Sequence, residues 1–485
     1  MRKGIGKDDN TFDFEEGGQG AFAEKPRRFP RLPLVFLGLG LYRAWIEIVY
    51  VGSYLDFPIQ SVSARDAFDI SAAVVWLLAA IFAKKLVTLS KRRWIIALSG
   101  LLLAGATTAN FASMAYPELL APFALWVAVS AGVGIALLIL VWSEFFGALN
   151  PMKVALYYSA SILFGAALIY LSRGFIPLYL AGFTLLLPAL SAYAAYKSLG
   201  QIPREAQPKA VSHKLVFPWK PVLLMAVYSF AYGLKESSLY EFTGPHSSLG
   251  VIAAATVVFF GVLSQGKKFD FGVVYRFGLP FMVGAFLLVP ALGFPNEQVA
   301  GFCVTLSYTA FSILIMIVLS NMVYRYGMNA LWLFGIERAV RQVFMVGGRE
   351  AESFVRDFSP LGVQNEMLSN VLVVLLVIIA TMILLSEKDL LSKWGIGADK
   401  AMSAFGETAN VQQGLGERCA IVAKQHGLSM RESEVLLLLA QRKSISVIEK
   451  ELFIANGTAK AHVRHIYQKL EVHSREELFD LVGES

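Results

Sequence analysis

Two arginine–glutamate pairs sit four residues apart inside otherwise apolar stretches, Arg43 with Glu47 and Glu337 with Arg341, and Arg338 adjoins the second pair. At this spacing each pair lies on one face of a helix. A charge within an apolar span is costly, so it is expected to face a cavity or a partner. Tyr232 and Trp332, with Trp45, Tyr50, Tyr54, Tyr228 and Tyr308, interleave with these charges. Together they suit a small polar or aromatic ligand with an ionisable group. The same residues also fit a purely structural role, as ion pairs locking helices together and aromatics marking the membrane interface.

A second constellation lies near the C-terminus. Val463, Ile466, Tyr467 and Leu470 recur at i, i+3, i+4 and i+7 and form one apolar stripe, while Gly457, Ala461, Arg464, His465 and Gln468 share the opposite face, with Thr458 and Lys460 at its edges. A helix divided in this way can bury one side and lay the other in a DNA major groove.

The elements that must carry these residues are of two kinds. Of 485 residues 56% are hydrophobic and only 16% charged, with a mean hydropathy of +0.57, far more apolar than a soluble domain. Apolar stretches long enough for about 30 Å of hydrocarbon centre near 33–54, 68–84, 94–113, 119–142, 154–172, 177–196, 219–236, 248–265, 273–293, 298–322, 328–347 and 367–386. The sequence therefore predicts an all-α, polytopic bundle of about 12 spans over 33–386, preceded by a cytoplasmic tail, 1–32, too polar for a signal peptide. With the N-terminus inside, about fifteen Lys and Arg fall in cytoplasmic loops against five outside, among them Arg65 and Arg349. That bias fixes the expected orientation, in the inner (cytoplasmic) membrane with both termini cytoplasmic.

The connection 197–218 divides the spans six and six, an arrangement that resembles the major facilitator architecture, in which ligands bind near the midplane between halves. The facilitator signature between the second and third spans contains a glycine, an aspartate and a basic cluster. Here AKKLVTLSKRRW keeps Lys91, Arg92 and Arg93 but neither of the other two, which speaks against coupled transport.

Ser429 and Glu432 form a capping box opening a helix to about Gln441, and Ser474 with Glu477 forms a second. Between them a short helix, 444–452, and a longer one, 456–470, flank a turn at 453–455, which is the helix-turn-helix order. Leu428, Arg431, Glu432, Glu434, Val435 and Leu436, followed by Ile448, Leu452, Ile454, Thr458, Lys460, His462, Ile466, Lys469, Leu470, Val472 and Arg475, resemble the pattern of the LuxR-type (GerE-like) DNA-binding domain. The departures are Ser429 for Thr, Glu449 for Ala, Ala455 for the capping Ser, Ala459 for Val and His465 for Asn; Asn456 can take over the cap. The resemblance implies a four-helix domain over 428–485 that binds double-stranded promoter DNA. Lys460, Ala461 and Arg464 would read bases, Gln468 would lie on the same face, and Thr458, Lys469 and Arg475 would meet phosphates.

Over 427–485 eight basic residues face nine acidic ones, so one copy has little phosphate-driven affinity. A homodimer or clustering on DNA is expected. The linker, 387–427, reaches about 35 Å as a coil, which brings the DNA to the membrane. No phosphate-binding loop, zinc-protease or nucleophile-elbow motif occurs, and the two cysteines, Cys303 and Cys419, offer neither disulfide framework nor metal set. The expectation is a one-component regulator that is no enzyme, without cofactor or metal, whose alternative is a facilitator-like transporter with an appended helix-turn-helix domain.

Overall fold

The structure is a computed structural model. It describes residues 33–483 except 52–54, 87–88, 90–91, 203–216, 242–245, 267–268, 289–296, 358–362, 385–418, 420–421, 424, 441–444 and 453–455. The tail 1–32, most of the linker and the turn 453–455 thus lie outside the described residues. Among those described, helices are the regular structure and strands are absent.

We number the helices α1 Leu34–Val51, α2 Val62–Ile81, α3 Arg93–Ser113, α4 Pro117–Gly147, α5 Pro151–Ser172, α6 Pro177–Gly200, α7 Trp219–Glu241, α8 His246–Gln265, α9 Gly272–Val283, α10 Glu297–Tyr326, α11 Ala330–Asp357 and α12 Val363–Leu384. Local chemistry sets several starts. Ser61 accepts from the amide of Ala64 to cap α2, Asn150 accepts from that of Lys153 to cap α5, and Pro117, Pro151 and Pro177 open their helices where no amide donor is required.

Among the described residues, seven helical segments are long and apolar enough to cross a membrane: α1, α3, α4, α5, α6, most of α10 and the apolar part of α12. Their outward faces carry large apolar side chains such as Leu101, Leu178, Met382 and Ile383, each at least 65% exposed, while serines and threonines turn inward. Water would penalise that inversion and hydrocarbon favours it, which makes this a membrane protein. Among the described residues, α2, α7 and α11 fall short because they carry charges.

Those three charged helices pack together. α11 lies against both α7 and α2, and α2 in turn against α4. The two sets α1–α6 and α7–α12 meet along α2 with α11 and along α5 with α8. Close approach of α7 to α11 depends on Gly233 and Gly348: a Cβ on either would collide with the other helix's backbone, at Met345 and Phe230 respectively.

Three expectations need correction. Arg65 and Arg349 are not loop cations: Arg65 lies in the first turn of α2 and Arg349 within α11, which runs about ten residues past the expected span end. Arg43 and Glu47 are not on one uninterrupted α-helix, because the helix widens into a π-helical turn at Glu47–Val51, a feature often found at functional sites.

Among the described residues, the C-terminal domain contains the further helices α13 Met430–Ala440, α14 Ile445–Leu452, α15 Asn456–Lys469 and α16 Arg475–Gly483. Val435, Leu436, Ile448, Ile466, Leu470 and Leu478 make their common core. Cys419, Val422 and Ala423 belong to the same core, so residues that read as linker pack with the domain. They escaped a periodicity reading because they form a short stretch ended by Gly427, whose positive φ of 62° lets Leu428 N–H close back on Ala423.

Candidate nucleic-acid interface and intramembrane cavity

The first capping box forms in both directions. Ser429 N–H donates to Glu432 Oε2 at 2.8 Å and Glu432 N–H to Ser429 Oγ at 3.3 Å. The second is displaced: Glu477 N–H donates to Ser474 Oγ at 3.1 Å, but the Glu477 carboxylate accepts from His473 N–H, one residue further back. Arg431 ties α13 to the end of α14, donating to the Leu452 carbonyl at 2.7 Å while pairing with Glu434 at 2.5 Å, a cation placed where a helix C-terminus favours one.

On α15, Ile466 and Leu470 are buried and Val463 and Tyr467 pack on the core. Ala459 is also fully buried, so the small residue replacing Val is an interior one. Thr458, Lys460, Ala461, Arg464, His465 and Gln468 are exposed together, the division an outward-reading helix requires. A surface groove runs beside Lys460, Arg464 and Gln468.

Lys469, expected at phosphate, makes contacts within the domain. Its ammonium donates to Glu432 Oε2 at 2.7 Å and to the Gly427 carbonyl at 3.3 Å, tying the recognition helix back to the capping box. This ammonium, together with the Ser429 donors, holds the Glu432 carboxyl down at about 2. Arg475 begins α16, and its side chain lies outside the described residues.

In the membrane region a cavity of about 180 Å³ opens between the two halves. It is lined by Arg43, Glu47, Tyr232, Arg338 and Arg341 from the sequence reading. Glu337 adjoins it: Arg341 Nε donates to Glu337 Oε1 at 2.9 Å, and its terminal nitrogens donate to Ser312 Oγ at 3.2 and 3.3 Å. The rings of Tyr232 and Tyr308 pack at a tilt of 31° with centroids 4.5 Å apart, and the Arg341 guanidinium lies 5.8 Å from the Tyr308 ring centroid. Trp332 is not brought in. It sits at the start of α11 with its ring against Phe217, 5.2 Å between centroids, because α11 begins too far from the cavity for its first turn to reach it.

The sequence reading did not recognise Arg65, Asp66, Asp69 and Arg349, which form a charged group with Glu236 at another part of the same cavity. Arg349 donates to Glu236 at 2.6 Å, to Asp66 at 2.7 Å and to Asp69 at 2.5 Å; Arg65 reaches Glu236 at 3.2 Å and Asp69 at 3.4 Å. Asp69 and Glu236 are only 1% and 4% exposed. Arg65 and Asp69 repeat the i, i+4 signal of Arg43 and Glu47, which was the available clue.

The family described as bacterial regulatory proteins, luxR family, matches residues 426–482. This C-terminal segment is a LuxR-type helix-turn-helix domain. A Mycobacterium tuberculosis protein described as an HTH-type transcriptional regulator is 32% identical over 96 residues, 20% of this chain and 11% of that one. The transcriptional regulatory protein NarL of the same species is 44% identical over 61 residues, 13% and 27% of the two chains. A regulator of Aeromonas salmonicida is 46% identical over 54 residues, 11% and 28%. The chain thus spans between about a tenth and little more than a quarter of the length of these relatives. Among solved structures, the major facilitator superfamily transporter FucP in its outward conformation is similar over 73% of this chain and 99% of that chain, at 10% identity and a TM-score of 0.47.

Proposed function

We propose that the protein is a membrane-embedded, one-component transcriptional regulator, sensing a small molecule in the cavity between its halves and binding promoter DNA through its LuxR-type domain. The observation that carries the reading is the joint exposure of Lys460, Ala461, Arg464 and Gln468 on α15, in a chain whose other helices include seven of membrane-spanning character. Arg464 and Lys460 read base edges and Thr458 and Arg475 meet phosphate. About twelve spans in the inner membrane keep both termini in the cytoplasm, where the domain can reach DNA. Pairing of two domains supplies the affinity that one near-neutral copy lacks. Ligand binding shifts a two-state equilibrium of the bundle, and no catalytic step is involved.

Chromatin immunoprecipitation of the full-length protein tests this. Wild type enriches discrete promoters, and Arg464→Ala loses that enrichment at unchanged membrane level; enrichment equal to wild type removes Arg464 from the reading role. The position of the cavity between the halves favours a second reading, a facilitator-like transporter carrying a regulatory domain. Net uptake of a labelled inducer into proteoliposomes would establish it.

A further inference from the structure

The cavity is electrically polar. Around Arg43, Arg338 and Arg341 three guanidiniums face two carboxylates, Glu47 and Glu337. Around Arg65 and Arg349 two guanidiniums face three carboxylates, Asp66, Asp69 and Glu236. One group therefore carries a formal excess of one positive charge and the other an excess of one negative, and Arg338, Arg341, Asp69 and Glu236 all line the same cavity.

The two groups lie at different depths. Arg341 and Arg349 are eight residues apart on α11, about 12 Å along the helix axis, and Met345 lines the cavity between them. Tyr232, Tyr308 and Phe68 give that intermediate wall an apolar, aromatic character. Both groups leave buried polar atoms unsatisfied, Arg349 Nε at the acidic one and two atoms at the positive one. Arg338 Nε, on a side chain 10% exposed, has no hydrogen-bond partner, and its nearest carboxylate oxygen, Glu337 Oε2 at 3.5 Å, has none either. Buried polar atoms of this kind are costly unless something completes them.

We infer that the cavity binds a dipolar organic molecule, an anionic group held by Arg338 and Arg341 and an ammonium group held by Asp69 and Glu236, joined by an apolar body. Each end supplies the charge its group lacks. Among the described residues no set of carboxylates, imidazoles or thiols converges as a metal site, so an organic cation is the fitting complement for the acidic end. A simple anion would satisfy the arginines and leave the acidic excess unanswered, and a simple amine would do the reverse. The inference rests on reading this cavity as the sensing site.

The test uses the purified full-length protein in detergent without DNA, so that its failure leaves the promoter-binding result untouched. The probes are ω-amino carboxylates of increasing chain length, from β-alanine to ω-aminooctanoate, each with the carboxylate and the amine of matching length, read by thermal stabilisation and calorimetry. At one length the amino carboxylate binds at least tenfold tighter than either partner, about 1.4 kcal/mol. Glu236→Gln then weakens the amino carboxylate to the level of the simple carboxylate while leaving the latter's affinity unchanged. Equal affinity for a matching carboxylate or amine, or no stabilisation by any amino carboxylate, overturns the inference. If Glu236→Gln fails to accumulate, the wild-type comparison still decides.

Discussion

Arg349 on α11 grips Glu236 on α7 at 2.6 Å, one residue beyond Gly348 and three beyond Gly233, the pair that lets the two helix backbones touch. A charged clasp and a small-residue crossing thus occupy the same stretch of the interface. In a membrane, helices gain nothing from hiding apolar surface from each other, so close packing and polar contacts must hold them.

Charge arithmetic sets the outcome of breaking the clasp. Arg349→Gln leaves three carboxylates with Arg65 alone, whereas Glu236→Gln leaves two carboxylates with two guanidiniums. Removing one partner of a buried pair costs about 3–5 kcal/mol when the other charge is stranded, so Arg349→Gln lowers the melting temperature in detergent sharply and Glu236→Gln much less. Equal losses would show that shape rather than charge sustains the contact.

The crossing offers a test with a built-in control. A Cβ on Gly348 meets the Phe230 carbonyl and the Leu234 amide, while one on Gly347 meets nothing within 4 Å. Gly348→Ala therefore destabilises by about 1–3 kcal/mol through overpacking. Gly347→Ala is neutral or stabilises by about 0.5–1 kcal/mol, since alanine is the better helix former. Thermal melts of the two variants that moved together would contradict the assigned crossing.

In the DNA-binding domain Glu432 links pH to stability. Its pKa is lowered to about 2 by Lys469 and the Ser429 donors, so its contribution is complete above the ordinary glutamate value of about 4.3 and is lost as pH falls through about 2. Glu432→Gln should cost about 1.5–3 kcal/mol near neutral pH. Amide hydrogen exchange across α13 and α15 of the full-length protein should show the gap between variant and wild type closing below about pH 4. A gap independent of pH would mean the carboxylate's charge is not what matters.

Lys469 and Arg464 should fail in different ways. Lys469→Met releases Glu432 and raises exchange in α13 and α15, while the salt dependence of DNA binding stays as in wild type because no phosphate contact has gone. Arg464→Ala leaves exchange alone and costs about 1–3 kcal/mol of discrimination at one base pair. Measured binding at several salt concentrations distinguishes these, and a flatter salt slope for Lys469→Met would return that residue to the phosphate backbone.

Much of this was legible in the residues themselves, for local reasons. Length and hydropathy mark a membrane span because the bilayer demands a fixed run of apolar residues. The capping box at Ser429 and the stripe through Ile466 and Leu470 follow from backbone geometry within one or two turns. The dense match at 428–478 located the DNA-binding domain, and the lone i, i+4 charges on α1 and α11 pointed to the cavity. Tertiary structure decided what those signals could not carry. Asp66, Asp69, Glu236 and Arg349 come from three helices, with more than a hundred residues between each section and the next, and only packing brings them together. The family resemblance assigned Lys469 to phosphate; its partner within the domain, Glu432, lies 37 residues earlier, beyond the reach of any local pattern. Trp332 shares a helix with the cavity arginines yet points elsewhere, since position along α11, and not membership of it, sets what a side chain reaches. Periodicity reports which face of one helix is special, and it is the crossing of that face with others that determines the chemistry there.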